Sequence, residues 1–418
     1  MLNDDNIRSK RIIILGINYS PELIGIGKYT TEMVNWMVNN NYICTVVTSY
    51  PYYPHWIVQA PYKNFFYRKE IFNKGKLTIY RCPIYIPEKP TGFKRIIHDA
   101  TFFVSAFFVF IKLLFLKKHD YVISIAPPFH IGLLALLYRF IKGGKVIYHV
   151  QDLQIDAAKE LNMIKSKFLL NTMFSLEKLI VRKADYVSSI SDGMINKIKG
   201  KTDRDVVYFP NWVDVDNFKP LFNNEELKKN WGFEKSDYVI LYSGSLGEKQ
   251  GLNIIVDLAL RMQGNSRAKF VICGTGSYKH KLETEVSNKN LSNVTFLPLQ
   301  NYAVFNMFLN MADMHLILQK NDASDLVMPS KLSAILSVGG LALVTAMPKT
   351  SLYEIIKNYD IGLLAAPEQV DSISNVILEN INKNNEDIRK RARQYAKLNL
   401  SINCIMPEVF KMFIGDDI

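Results

Sequence analysis

Cysteine is scarce in this sequence, and the few cysteines form no pair. Four of them are spread over 418 residues, and no CxxC motif occurs. This spacing argues against a disulfide framework or a zinc cluster, and it fits a reducing compartment. The first ten residues, MLNDDNIRSK, carry acidic side chains and no apolar core, so we expect no secretory signal.

Apolar runs of membrane-spanning length are also lacking. The longest run lies at 102–116 within GFKRIIHDATFFVSAFFVFIKLLFLKKHD and is interrupted by Lys112. It covers about 15 residues, whereas a transmembrane helix needs about 20. Its basic flanks are typical of a helix that lies in the headgroup region, and a buried core helix is the alternative. We expect residues 93–118 to contact a membrane, with Phe103, Phe107 and Phe110 inserted.

Acidic residues are few in the first half of the chain. Residues 1–200 hold 27 Lys and Arg against 14 Asp and Glu, an excess of 13 positive charges. The remaining residues hold 24 against 25 and are nearly neutral. The N-terminal half therefore faces something anionic. Because an aromatic, basic segment lies in this half, we expect an anionic membrane surface and no nucleic acid.

Short apolar runs alternate with helix-like segments along the whole chain, and they predict parallel sheets with helices on both faces. The predicted strands of the first half are 12–17, 44–48, 77–80, 121–125, 146–150, 186–190 and 206–209. Those of the second half are 238–242, 269–273, 294–297, 314–318, 341–345 and 362–364. No fixed repeat or low-complexity tract interrupts this order.

Two doubly wound, Rossmann-like domains in series explain the length and the pattern. The joint is expected in YFPNWVDVDNFKP, residues 208–220, where prolines interrupt regular structure. We therefore predict an N-terminal domain at 1–210, a C-terminal domain at 211–398, and a terminal helix at 399–418 that packs back toward the first domain. Ligands bind beyond the carboxyl ends of parallel strands, so a central cleft between the domains is expected.

Several glycine-rich turns follow predicted strands, which is typical of anion sites at helix N-termini. Gly25 and Gly27 follow the first strand, but position 30 is Thr and no acidic residue ends the second strand, which disfavours a dinucleotide site. The turn of ILYSGSLGEKQGLN presents Lys249 but is not followed by GK[ST], so it is no Walker loop. Lys331 follows Ser330 at a predicted helix start.

Together these segments resemble glycosyltransferase family 4, whose members are retaining enzymes of the GT-B fold. The resemblance runs through NYSPELIGIGKYT, PNWVDVDNFKP, YSGSLGEKQGL, CGTGS and PSKL…GG and covers almost the whole chain. Within the family, the chain resembles the branch of fucosyl- and N-acetylfucosaminyltransferases that build colanic acid, O-antigen and capsule. The segments that carry this resemblance are SYPYYPHW, HVQDLQIDAA and DLVMPSKL.

The resemblance implies a role for each matching residue. Lys249, Lys331 and Ser330 would hold the donor diphosphate, which Gly25 and Gly27 would approach from the first domain. The nucleoside pocket would be lined by Gly274 and Gly276. His149 and Asp152 would contact the transferred sugar or orient the acceptor hydroxyl. The lysines would replace a divalent ion, so neither metal nor cofactor is expected.

Three positions, which make up two departures, differ from the family pattern near the donor. Ser245 stands where an arginine is common, and Leu326 and Ala334 stand where the family carries a pair of glutamates. Asp322 or Asp325 would take over the hydroxyl contacts of that pair.

The implied reaction moves a sugar, fucose or N-acetylfucosamine, from a UDP- or GDP-linked donor to a lipid-linked glycan on the inner face of the cytoplasmic membrane. A sugar-nucleotide epimerase of the same fold and a non-catalytic assembly subunit are the alternatives. Product analysis separates the first alternative, and donor binding without turnover would indicate the second.

Overall fold

The computed structural model describes residues 9–22, 24–160, 164, 166–247, 251–319 and 330–415. The chain divides into two compact units, of which unit 1 comprises Met1–Pro210 with Met406–Ile418 and unit 2 comprises Asn211–Ile405. Each unit is built on a single sheet. We describe each unit by itself.

Unit 1 contains an eight-stranded sheet in the order β3-β4-β2-β1-β5-β6-β7-β8. Its strands are β1 Arg11–Leu15, β2 Ile43–Ser49, β3 Arg68–Phe72, β4 Leu77–Cys82, β5 Tyr121–Ala126, β6 Lys145–Val150, β7 Tyr186–Ser189 and β8 Val206–Tyr208. Its helices are α1 Gly25–Asn39, α2 Gly92–Leu114, α3 Gly132–Lys142, α4 Gln154–Glu160, α5 Lys167–Lys183 and α6 Asp192–Lys199. All neighbouring strands are parallel except β3 and β4.

Unit 2 contains a six-stranded parallel sheet in the order β11-β10-β9-β12-β13-β14. Its strands are β9 Tyr238–Ser243, β10 Ala268–Cys273, β11 Val294–Leu297, β12 Met314–Ile317, β13 Ala342–Thr345 and β14 Leu363–Ala365. Its helices are α7 Asn224–Lys228, α8 Asn253–Arg261, α9 Lys279–Asn288, α10 Tyr302–Asn310, α11 Ser330–Ser337, α12 Ser351–Tyr359, α13 Val370–Asn380 and α14 Glu386–Asn399. The last helix, α15 Ile402–Ile414, begins in unit 2 and ends in unit 1.

Both faces of the unit 2 sheet are covered. All six residues of β9 are buried, and alternate residues belong to different apolar clusters. Val239 and Leu241 pack with residues of α10 and α11, whereas Ile240 and Tyr242 pack with residues of α8. This is why the strand is a continuous apolar run with no alternation. The α/β, doubly wound architecture predicted from the sequence is confirmed.

Each of the thirteen predicted strands overlaps a strand of the structure, and β3 is the strand that was not predicted. Its sequence, RKEIF, is mostly polar and exposed because it lies at the sheet edge. In each sheet the direction in which successive strands are added reverses at one switch point. This point lies between β1 and β5 in unit 1 and between β9 and β12 in unit 2. Such points open a ligand crevice beyond the carboxyl ends of the strands.

The end of α15 packs on unit 1 through aromatic rings. Phe410 makes edge contacts with Trp36 and Tyr42, at 5.6 and 5.7 Å between ring centroids. Phe413 contacts Tyr186 at 5.4 Å. Residues before 406 group with unit 2 instead, where Val213 donates to the Leu400 carbonyl at 2.8 Å.

The apolar helix α2 differs from its prediction in two respects. The helix has 23 residues. Among the described residues, it is the one helix whose length and apolar composition would allow it to cross a membrane. The expectation that it is too short to do so is therefore wrong. One of its sides packs in the unit 1 core, which includes Phe110 at 2 % exposure and the half-buried Phe103 and Phe107. The expectation that Phe110 inserts into a membrane is therefore wrong, whereas insertion of the half-buried Phe103 and Phe107 stays a prediction.

The exposed side of α2 carries a different set of apolar residues. Val104, Phe108 and Ile111 lie on it, and Phe115 follows at its end with 84 % exposure. These residues recur every three or four positions, so they form one stripe along the helix. We call it the α2 stripe.

Candidate active site

A half-buried lysine, whose ammonium is surrounded by protein, lies beside the switch point of unit 2. Lys331, in the first turn of α11, places its Nζ 3.8 Å from the centroid of the Tyr242 ring at the end of β9. A Cβ at Gly244, in the turn after β9, would lie 3.6 Å from Lys331 Cδ. The fold therefore brings the helix N-terminus, the glycine turn and the lysine together, as expected of an anion site.

The described residues compensate the charge of Lys331 only weakly. Burial lowers its pKa to about 7, because little water remains to solvate the ammonium. The Tyr242 ring contributes a cation–π contact, and Lys331 forms no ion pair with a carboxylate of the described residues. An ammonium held in this state gains more from an anionic ligand than a solvated lysine does.

Glycines after β10 let two turns lie backbone against backbone. Leu246 N donates to Thr275 O at 2.9 Å, and Tyr278 N donates to Leu246 O at 3.0 Å. A Cβ at Gly274 would lie 1.9 Å from Gly244 O, and one at Gly276 would lie 2.1 Å from Leu246 O. Both positions therefore require glycine for packing alone. Their contact with a nucleoside remains a prediction.

In unit 1, Gly27 packs against a buried glutamate that the sequence interpretation missed. A Cβ at Gly27 would lie 2.7 Å from Glu22 Oε2. The other carboxylate oxygen of Glu22 accepts hydrogen bonds from the backbone N–H groups of Tyr52 and Tyr53, both at 2.9 Å. Burial raises the pKa of Glu22. Glu22 thus ties the turn after β1 to the turn after β2, and Gly27 makes room for it.

Gly25 begins α1 with φ of +61°, a left-handed conformation that suits glycine. It is exposed at the carboxyl edge of β1. That position is compatible with contact to a ligand, which remains a prediction.

His149 lies in the core of unit 1 near the end of β6. It is 3 % exposed, its Nδ1 is 3.0 Å from Ser188 Oγ, and its ring is 4.7 Å from that of Phe209. Burial lowers its pKa to about 3, so the imidazole is neutral at physiological pH. Asp152 lies just beyond the strand and is exposed, yet the surrounding protein raises the pKa of its carboxyl.

A second polar cluster at the carboxyl edge of unit 1 was not predicted. His98 Nε2 lies 2.9 Å from the hydroxyl of Tyr52, and the Trp56 ring contacts that of His98 at 5.1 Å. Gln154 Nε2 donates to Asp99 Oδ2 at 2.5 Å. Burial raises the pKa of Asp99 to about 6 and lowers that of His98. SYPYYPHW, which supplies Tyr52 and Trp56, was the available signal.

Metal ligands do not converge in the described residues. No group of three or more His, Cys, Asp and Glu side chains within those ranges is placed to hold an ion. The triplet Asp214-Val215-Asp216 has the spacing of a metal motif, but Asp214 Oδ1 accepts from the backbone N–H groups of Asp216 and Asn217, at 3.1 and 3.0 Å. That carboxylate shapes a turn.

Comparison with known proteins identifies the family. The sequence pattern described as "Glycosyl transferases group 1" matches residues 223–399. WcaI of Escherichia coli (strain K12), whose name assigns it to colanic acid biosynthesis, is 36% identical over 371 residues, which cover 87% of this chain and 90% of WcaI. The chain belongs to glycosyltransferase family 4.

Solved structures show the same fold. Sucrose-phosphate synthase from Thermosynechococcus elongatus superimposes with a TM-score of 0.71 at 13% identity, covering 97% of this chain and 98% of that one. HepE of Anabaena, solved in complex with UDP and glucose, gives 0.66 at 12% identity, covering 97% and 99%. This glycosyltransferase therefore has the GT-B fold, and as a family member it is a retaining enzyme that uses a nucleotide-sugar donor.

The residues where this glycosyltransferase departs from its family are partly visible. Ser245 is exposed in the turn after β9, and its carbonyl accepts a hydrogen bond from the Tyr242 hydroxyl at 2.9 Å. Ala334 lies one helical turn after Lys331 and packs against the unit 2 core. Lys249, Asp322, Asp325 and Leu326 lie outside the described residues, as does the side chain of Ser330.

Substitutions of Asp152 and His149 test whether each residue acts in the reaction or only stabilises the fold. We expect Asp152→Asn to leave the melting temperature of the glycosyltransferase unchanged and to lower kcat/KM at least about tenfold, because an exposed carboxylate adds little to stability. His149→Ala removes a buried ring and should lower the melting temperature. Normal turnover by Asp152→Asn, measured with the same donor, would remove Asp152 from the site.

Proposed function

We propose that this glycosyltransferase moves fucose or N-acetylfucosamine from a UDP- or GDP-linked donor to a lipid-linked oligosaccharide. The product would be a bacterial surface polysaccharide such as an exopolysaccharide, O-antigen or capsule. The single observation that carries the proposal is Lys331, a buried ammonium without a described counter-ion at the switch point of unit 2. A diphosphate is the group that would satisfy it.

In this proposal Lys331 and Lys249 neutralise the diphosphate as it leaves the sugar. Negative charge grows on the departing phosphate in the transition state, and a fixed ammonium stabilises it without reorganisation. The N-terminal end of α11 adds the positive pole of its dipole. With two lysines and a helix end available, we propose that no divalent metal is required.

His149 and Asp152 act on the sugar or the acceptor in this scheme. A neutral imidazole can donate or accept one hydrogen bond, and a carboxylate can accept the proton of the attacking hydroxyl. The half-buried Trp56 packs against the buried Tyr52 and His98 and would offer an aromatic face to a sugar ring.

The choice of sugar and acceptor rests on similarity. WcaI is named for colanic acid biosynthesis, and at 36% identity over nearly its full length it is a relative close enough to suggest a related polymer for this chain. The proposed donor carries either uridine or guanosine. The HepE structure holds UDP, whereas the fucose donor that the family resemblance implies is linked to GDP.

We further propose that the enzyme is cytoplasmic and docks on the inner face of the membrane through the α2 stripe. The support is the exposure of Phe108 and Phe115, at 57 % and 84 %, on a helix whose other side belongs to the unit 1 core. Because that side packs in a folded sheet, α2 would lie along the membrane surface. Lys94 and Lys112, which flank the stripe on the same helix, would then meet anionic lipid.

Thermal stabilisation by a panel of nucleotides and nucleotide sugars tests the donor proposal. A ligand at about 100 times its Kd adds about 2.7 kcal/mol to the free energy of unfolding. We expect GDP-fucose or UDP-N-acetylfucosamine to raise the melting temperature of the wild type, with little shift in Lys331→Ala and no requirement for Mg²⁺. Equal shifts in both proteins, or none with any diphosphate, would contradict the proposal.

A further inference from the structure

A basic pocket opens at the amino-terminal edge of the unit 1 sheet, opposite the edge that carries Gly25 and His149. Its volume is about 310 Å³, and its lining consists of Lys10, Lys118, Asp120, Tyr121, Gly144 and Lys145. At roughly 30 Å³ per water molecule this is space for about ten waters. The lining side chains carry three positive charges against one negative charge.

The pocket follows from the register of three neighbouring strands. Lys10 precedes β1, Lys118 and Asp120 precede β5, and Lys145 begins β6. Ile12 pairs with Tyr121, and Tyr121 pairs with Lys145, so the three strand starts lie side by side. The lysines are thereby fixed around one opening, although they are far apart in sequence.

The single carboxylate of the pocket is already engaged by the backbone. Asp120 Oδ2 accepts a hydrogen bond from the N–H of Arg11 at 2.8 Å. Lys145 Nζ is 3.3 Å from the hydroxyl of Tyr186, and neither Lys118 nor Lys145 forms an ion pair with a carboxylate of the described residues. The charges of Lys118 and Lys145 together exceed the single negative charge of Asp120, so the pocket keeps a net positive charge that attracts an anion.

Exposed apolar residues lie in the two turns that supply Lys118 and Gly144 to the pocket, and we call them the apolar rim. Phe115 and Leu116 lie between the end of α2 and Lys118, and Phe140 and Ile141 lie at the end of α3. A Cβ at Gly143, just after α3, would lie 3.0 Å from Lys118 Nζ, so the two turns are in contact. Phe140 is 88 % exposed. The same two turns thus contribute to the basic pocket and carry exposed apolar side chains.

We propose that this pocket binds the phosphate headgroup of an anionic phospholipid, whose acyl chains lie over Phe115 and Phe140. The proposal rests on the membrane docking proposed above and adds a specific lipid site to it. Because the site lies at the edge opposite the carboxyl ends of the strands, an occupied pocket leaves the donor and acceptor free to bind. The lipid then acts as a tether that is not consumed.

Paired lysine substitutions test the site. Lys118→Ala removes a lining residue, whereas Lys117→Ala removes the same charge from the adjacent position, which does not line the pocket. We expect Lys118→Ala to weaken binding of dihexanoyl phosphatidylglycerol, used below its micelle concentration, about tenfold, and Lys117→Ala to change it less than twofold. Neither variant should alter turnover with a water-soluble acceptor.

The outcomes separate the lipid site from membrane docking. If the wild type ignores phosphatidylglycerol vesicles yet binds the short-chain lipid in a Lys118-dependent way, the site stands and docking fails. If vesicles bind but the two variants behave alike toward the short-chain lipid, the site is refuted while docking stands. Inorganic phosphate that binds as tightly as the short-chain lipid would also overturn the proposal, because the apolar rim would then contribute nothing.

Discussion

Lys331→Ala is expected to weaken binding of UDP or GDP and to lower kcat/KM roughly 10- to 150-fold. The physical reason is that the ammonium is buried, lies over Tyr242 and has no described counter-ion, so a diphosphate gains a charge-assisted contact in a poorly solvated place. Titration calorimetry with the nucleoside diphosphate measures the loss. Lys357→Ala, which removes an exposed lysine from the last turn of α12, is the matched control and should bind normally.

The lowered pKa of Lys331 gives this prediction a pH dependence. In the unfolded chain the lysine titrates near 10.5, and in the folded protein near 7, so the unfolded state binds the extra proton between these values. Burial of the charged lysine therefore lowers the free energy of unfolding by its full amount below pH 7, and this loss disappears as the pH rises toward 10.5. We expect Lys331→Met to melt at a higher temperature than the wild type at pH 6 and to lose that advantage at pH 10.

Diphosphate binding should depend on pH in the opposite direction, and should weaken as the pH rises. A bound anion favours the protonated lysine, so the affinity of the wild type should fall as the pH rises above about 7, by at most about tenfold per unit. Lys331→Met should lack this slope. A wild type and a variant with equal affinities at pH 7 would remove Lys331 from the donor site.

Charge placed in the α2 stripe is expected to abolish membrane binding. Burial of a phenylalanine side chain contributes about 1.5–3 kcal/mol, so loss of two insertions in Phe108→Asp/Phe115→Asp should weaken vesicle binding by at least about a hundredfold. Phe222→Asp/Leu398→Asp exchanges two exposed apolar residues of unit 2 and is the matched control. Co-sedimentation with vesicles that contain anionic lipid measures both.

The melting temperatures of the variants and the salt dependence of vesicle binding provide two further tests of membrane docking. The stripe residues are exposed, so the double variant should melt with the wild type, whereas Phe110→Asp should unfold unit 1 because Phe110 is buried. Wild-type binding should weaken as salt rises, since basic residues meet anionic lipid. A wild type that does not sediment with anionic vesicles at low salt would contradict docking.

The architecture could be predicted from the sequence because buried parallel strands read as apolar runs. β5 and β9 are buried along their whole length, so their continuous apolar runs predict strands directly. β3 was missed because RKEIF has a strand partner on one edge only and faces solvent, so neither a continuous nor an alternating apolar pattern was required. The face that α2 buries also escaped prediction, because apolar residues occupy both sides of the helix.

The candidate site could be predicted only where a local pattern carries it. Lys331 was found because a serine and a lysine at a helix start follow a recognisable motif. Its cation–π partner Tyr242 lies 89 positions earlier and enters the site only through strand order. Likewise, Gly27 was assigned to a ligand, but its neighbour Glu22 gives it a packing role that spacing alone could not reveal.

Anomeric analysis of the product tests the central claim most directly. The enzyme, a lipid-diphosphate oligosaccharide acceptor and the stabilising nucleotide sugar would be incubated without added metal, and the new linkage examined by NMR. The account predicts a lipid-linked product in which the transferred sugar keeps the anomeric configuration it had in the donor. An inverted linkage, or a nucleotide sugar that is epimerised while the acceptor stays unmodified, would contradict it.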